Sequence, residues 1–210
     1  MNRTLEAADA LPCDELVTCW LGLSQLGVTQ GPLEAVLGRL RDDERKLDFN
    51  SHRTTLEKAL IASMYVTKED TALEASLRRQ LHQKAKYLNP AQLCLVLQCL
   101  AYSYPRNGDP TLQMALFARL RIMLHWMPAR TLCLSLLAMC RFSAPNALSK
   151  VDYLPRTIGY FKGRRVAELS EEERTELQLT VRAWLDVEQS RRQPQSVKFL
   201  GQLRTALHQN

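Results

Sequence analysis

Ten basic residues lie between positions 89 and 165: Arg106, Arg119, Arg121, Arg130, Arg141, Lys150, Arg156, Lys162, Arg164 and Arg165. Only two acids, Asp109 and Asp152, stand among them. The chemistry open to such a set is phosphate binding, because a guanidinium stays charged and its planar fork donates two parallel hydrogen bonds. Aromatic residues are interleaved with the bases at Tyr102, Tyr104, Trp126, Phe142, Tyr153, Tyr160 and Phe161. Tyr102, Tyr104 and Tyr160 are the candidate stacking rings, since an exposed ring can stack on an unpaired base. The plainer reading is that charged residues coat a solvated face and that aromatic residues in helices fill a core.

Other chemistries lack their residues. The four histidines, His52, His82, His125 and His208, never stand four positions from another histidine or a cysteine, and no H-E-x-x-H occurs. Neither G-x-S-x-G nor G-x-G-x-x-G nor a Walker motif is present among the eight glycines. No catalytic residue, metal, cofactor or small-molecule substrate is therefore expected. The six cysteines form no C-x-x-C pair, and Cys94, Cys99, Cys133 and Cys140 sit in apolar helical stretches. They read as buried reduced thiols rather than as disulfides.

The formal net charge is +6 over 210 residues, and it is unevenly spread. Residues 1–38 carry −4, residues 39–88 carry +3, residues 89–165 carry +8 and residues 166–210 carry −1. The longest apolar run, near 132–140, falls far short of the ~20 residues that span a bilayer, so no membrane partner is expected. Residues 1–16 hold one arginine and four acids, unlike an organellar presequence or a secretory signal.

The elements that must position the basic residues are helices. Asn89-Pro90 and Asp109-Pro110 each place a capping side chain before a first-turn proline. Thr67-x-x-Asp70 and Ser170-x-x-Glu173 resemble capping boxes, and Gly31-Pro32 and Met127-Pro128 end one helix and open the next. Apolar residues recur at helical spacing, as in Leu112, Leu116, Leu120 and Leu124. The expected helices run over 13–28, 32–47, 51–66, 68–87, 90–104, 110–126, 128–142, 150–162, 170–190 and 196–208. No stretch alternates with the period of a strand.

These helices pair. The lead leucines of alternate helices are Leu16, Leu56, Leu93, Leu132 and Leu177, at spacings of 40, 37, 39 and 45. Residues 90–97 and 128–135 share an internal match, Leu-Cys-Leu at 93–95 and again at 132–134. Such a period predicts an all-α solenoid of about five irregular helical hairpins, in the manner of armadillo, HEAT and pentatricopeptide arrays. A single helical-repeat domain over 1–210 follows, with an acidic N-terminal cap at 1–47, a basic middle at 89–165 and a C-terminal hairpin at 166–210. The stretch 143–165 departs from the pattern, and an exposed basic loop is expected at 162–165.

A proline followed by Leu-x-Leu-x-Leu (93–97 and 132–136) and then by an aromatic residue and serine, at 90–103 and again at 128–143, resembles degenerate helical-repeat proteins of mitochondrial RNA metabolism. FAST-kinase-like and octotricopeptide-like repeats are of this kind, as in kinetoplastid mitochondrial RNA-editing and ribosome-assembly complexes. The resemblance implies a non-catalytic RNA-binding scaffold subunit of a mitochondrial ribonucleoprotein complex, handling guide RNA and mRNA. It further implies other protein subunits as partners and a mitochondrial matrix location. A protein–protein adaptor and a mitochondrial ribosomal or ribosome-assembly protein are the alternatives.

Overall fold

Helix ends, rather than helix interiors, account for where the chain turns. The computed structural model describes residues 12–28, 31–42, 58–59, 71–103, 109–142, 153–190 and 194–208. Among them the regular structure is helical throughout and no strand occurs, so the chain is all-α. It falls into two compact units, Met1–Lys84 and Ala85–Asn210.

In the first unit, α1 (Cys13–Gln25) ends at Gly27, whose φ of +70° is the left-handed value that glycine adopts without strain. Gly27 N–H donates to the Ser24 carbonyl and Val28 N–H to that of Leu23, which satisfies two orphaned carbonyls of the last turn. The chain then re-enters at α2 (Pro32–Asp42), which packs against α1 and against α3 (Thr71–Lys84). Leu16, Val17 and Trp20 of α1 and Leu33, Val36, Leu37 and Leu40 of α2 are buried. The expected capping box at Thr67 and Asp70 lies outside the described residues. So does the expected helix 51–66, except positions 58 and 59, which are helical.

The second unit opens with a single tight turn, Ala85–Tyr87, and holds α4 (Pro90–Ser103), α5 (Pro110–Met123), α6 (Ala129–Phe142) and α7 (Tyr153–Tyr160). Beyond α7 come a widened π turn, Phe161–Arg165, a tight turn, Val166–Glu168, and then α8 (Glu171–Ser190) and α9 (Pro194–His208). Asn89 Oδ1 accepts from Gln92 N–H at 2.9 Å while Gln92 Oε1 accepts from Asn89 N–H at 3.1 Å, a reciprocal cap for α4. Asp109 accepts from the N–H groups of Thr111 and Leu112. Ser170 and Glu173 cap α8 reciprocally at 3.0 and 3.1 Å.

Helix α6 is the axis of this unit. It contacts α4, α7, α8 and α9, and every side chain from Ser135 to Cys140 is buried, as a helix surrounded by partners requires. The lead leucines Leu93, Leu132 and Leu177 are buried, each contributing ~1.5–3 kcal/mol relative to exposure. Cys94, Cys99, Cys133 and Cys140 are buried free thiols, as expected. Burial pushes the Cys99 thiol up from 9.0 to about 12 and raises the other three as well.

One expectation is corrected. The stretch 162–165 is not an exposed loop: it continues α7 as a π turn, closed by Val166 N–H donating to the Phe161 carbonyl. Phe161 and Arg165, four residues apart, both turn inward, and the wider turn lets Lys162, Gly163 and Arg164 remain outside.

Candidate nucleic-acid interface

The connection from α5 to α6 is tightened by backbone bonds from Trp126 and Met127 N–H to the Met123 carbonyl, at 2.9 and 3.0 Å. A helix C-terminus leaves carbonyls without intrahelical partners. Here one side chain takes up the carbonyl of the C-cap residue, Leu124, and those of the connection beyond it. Arg165 Nη1 donates to the carbonyls of Leu124 at 2.9 Å and His125 at 3.3 Å, and Nη2 donates to that of Met127 at 2.6 Å. Its Nε stands 2.7 Å from Glu168 Oε1 as an ion pair, off line for a hydrogen bond. Burial opposes the charge, but Glu168 and the Tyr160 side chain outweigh it and hold the pKa above the ordinary arginine value. Arg165 is therefore a permanent cation, only 8% exposed, locking residues 161–165 onto the 124–127 turn.

A second bond supports the lock. Tyr160 Oη and His125 Nδ1 share a hydrogen bond of 2.8 Å, and the two rings meet edge to face at 5.2 Å. Together these contacts define one corner of the second unit, built from residues 121–127 and 160–165.

Against this geometry the sequence candidates separate. Arg165, expected on a phosphate, is buried with its fork spent on carbonyls, because the C-terminus of α5 needs that donor; it leaves the phosphate set. Arg130 is engaged with Glu176, Nη2 lying 2.8 and 2.9 Å from the two carboxylate oxygens. Arg119 is half-buried and its Nε donates to the Leu88 carbonyl at 2.9 Å. Its neighbour Arg121, about 200° around the same helix, is exposed. Arg156 is exposed on α7, and Lys162 and Arg164 are exposed on the π turn. Tyr160 is half-buried against His125, so its ring supports the turn instead of standing free for a base. Arg106, Lys150 and Tyr104 lie outside the described residues, as do the side chains of Arg141 and Tyr102.

The structure therefore brings the segment that bears Arg121 against the one that bears Lys162 and Arg164 and adds an aromatic residue that sequence reasoning left out of the stacking set. Trp126 is 76% exposed, and Ile122 beside it is 60% exposed. The available signal was position: Trp126 stands just before Met127-Pro128, in the turn rather than on a packed helix face. Among the described residues no group of His, Cys, Asp and Glu is arranged to hold a metal ion, and no helix is long and apolar enough to cross a membrane.

No protein-family model, no curated protein and no solved structure matches this chain.

Proposed function

We propose that this chain is a non-catalytic RNA-binding scaffold subunit of a ribonucleoprotein complex, built as a helical solenoid. The observation that carries the reading is the corner where one segment exposes Arg121 and Trp126 and the segment tied to it by Tyr160 and Arg165 exposes Lys162 and Arg164. From Asp109 to Asp152 the chain has no acid, and the carboxylate of Glu168, the first acid after Asp152, is taken by Arg165. Exposed cations that find no ion-pair partner among the described residues, on the same corner as an exposed aromatic ring, suit a phosphodiester chain with accessible bases. The solenoid reading is supported by the order of helix contacts in the second unit. α4, α6 and α8 pack in succession, α7 meets α9, and α4–α5, α6–α7 and α8–α9 meet as hairpins. The mitochondrial setting, with RNA editing or processing as the task, rests on the repeat resemblance and belongs to the same proposal.

Binding would be electrostatic and tolerant of sequence, with phosphates on arginine and lysine and neighbouring subunits on apolar helix faces. Filter retention of single-stranded RNA by the purified chain over a salt series tests it. Micromolar or tighter binding at low salt, weakening steeply as salt rises, is expected. No retention at low salt would refute it.

A second reading, a protein–protein adaptor, is favoured by one observation on the opposite charge. Leu179 is 63% exposed beside Glu171, Glu172, Thr175 and Glu176, which together line a shallow groove on α8. A subunit that binds RNA on one face and a basic protein on another would use both surfaces.

A further inference from the structure

Three tryptophans occur in the chain, and they are not alike. Trp20 and Trp184 are 2% and 9% exposed, as large apolar rings usually are, whereas Trp126 is 76% exposed. Its exposure is not the looseness of a slack connection. Trp126 N–H is bonded to the Met123 carbonyl, and the carbonyls of Leu124, His125 and Met127, on both sides of it, are all held by the buried Arg165. The backbone that carries the indole is fixed by one cation that the fold keeps charged and inward. Capping α5 requires Arg165; it does not require an indole in the turn.

The same cation fixes what faces the indole's surroundings. By drawing Arg165 inward, the π turn leaves Lys162, Gly163 and Arg164 exposed, and a side chain added at Gly163 would meet open space. Tyr160 on His125 pins the start of this segment to the turn. Arg121 and Ile122 are exposed on the last turn of α5. An exposed ring on a backbone held in place, with cations on two adjoining segments, matches a nucleotide chain at two points, a base face and its flanking phosphates.

We propose that Trp126 is a stacking platform for an unpaired base, with the neighbouring phosphates held by Lys162, Arg164 and Arg121, so that the ligand class is single-stranded rather than duplex RNA. This rests on the RNA-binding reading above and narrows it. Duplex RNA keeps its base faces stacked inside the helix and offers the corner only phosphates; a single strand offers both.

The molecule carries its own reporter. With Trp20 and Trp184 buried, the tryptophan emission that responds to a ligand on the surface belongs to Trp126. The full-length chain is titrated with a twelve-residue oligouridylate and, separately, with a blunt RNA duplex, following tryptophan emission and filter retention in parallel. Oligouridylate is expected to quench the emission, while the duplex binds more weakly and leaves it nearly unchanged. Trp126→Ala should abolish the quenching and weaken oligouridylate at least about tenfold, as stacking on an aromatic ring predicts, with duplex retention unaltered. Trp126→Phe should keep most of the affinity. Because the side chain is exposed, the thermal midpoint of both variants should match that of the parent, which separates lost stacking from lost folding.

Oligouridylate retained equally by Trp126→Ala, with no quenching in the parent, would overturn the platform and leave RNA binding standing. No retention of either RNA at low salt would overturn both. Emission that shifts with protein concentration and not with RNA would make the turn a contact between copies of the chain, and would also overturn the proposal.

Discussion

An acidic and a basic surface of the second unit differ in how much of their charge the fold uses. On the acidic face of α8, Glu171, Glu172 and Glu173 sit in the first turn, where the helix dipole favours carboxylates, and Glu173 also caps Ser170. Glu176 holds Arg130. Helix formation and one ion pair account for nearly every acid there. At the basic corner the fold employs one cation, Arg165, and gives Lys162, Arg164 and Arg121 no comparable task. Charge that secondary structure explains says little about partners. Charge that stays exposed at the corner that also exposes an indole calls for one.

That contrast can be broken or sharpened by substitution. Both surfaces depend on α6, which begins next to the Met127 carbonyl held by Arg165 and carries Arg130, the partner of Glu176. Leu136 is fully buried in α6, so Leu136→Ala should cost ~2–5 kcal/mol in chemical denaturation and should degrade both surfaces together. A loss below about 1 kcal/mol would mean that α6 is not the shared support.

Arg165→Ala comes next. It strands the carbonyls of Leu124, His125 and Met127 and leaves Glu168 unpaired, with an expected loss of about 2–4 kcal/mol. Arg165→Lys should recover little, because an ammonium lacks the planar fork that reaches several carbonyls at once. Equal stability in the lysine variant would show that charge alone, and not the fork, fixes the turn.

Alkaline stability reads the interior between α4 and α6. The Cys99 thiol is neutral in the fold up to about 12 but ionises near 9.0 once exposed. Its raised folded pKa is a stabilisation fully present below pH 9.0 and lost as pH rises from there toward 12. Cys99→Ala should flatten that part of the stability profile. The smallest effect belongs to Arg130 and Glu176, whose side chains are 45% and 57% exposed. A double-mutant cycle should give at most ~1 kcal/mol, shrinking as salt is added; a larger, salt-insensitive coupling would make the pair a structural element of the acidic face.

Much of the fold was legible in the sequence because helix ends are written in short-range chemistry. Asn89, Asp109 and Ser170 cap the helices they were expected to cap, and the leucine spacing located Leu16, Leu93, Leu132 and Leu177 in the core. The site was less legible, for a physical reason. Whether an arginine faces solvent depends on which carbonyls or carboxylates happen to lie within its reach. Arg164 and Arg165 are adjacent in the sequence and indistinguishable by type, yet Arg165 spans about 40 residues to the end of α5 while Arg164 remains outside. Trp126 was passed over because tryptophan at helical spacing is ordinarily core, as Trp184 is.

The central claim is that the unused cations, rather than the charge of the whole unit, hold RNA. Its most direct test is the salt dependence of single-stranded RNA affinity for three proteins: the parent, the double variant Lys162→Glu with Arg164→Glu, and the double variant Glu171→Lys with Glu172→Lys. Each phosphate contact contributes a slope of about −0.7 in log K against log salt. Reversing the two cations is predicted to weaken binding and to make the slope shallower by about 1.4, while reversing the two glutamates leaves affinity no weaker than the parent's. Unchanged affinity and slope in the Lys162→Glu, Arg164→Glu protein would contradict the account.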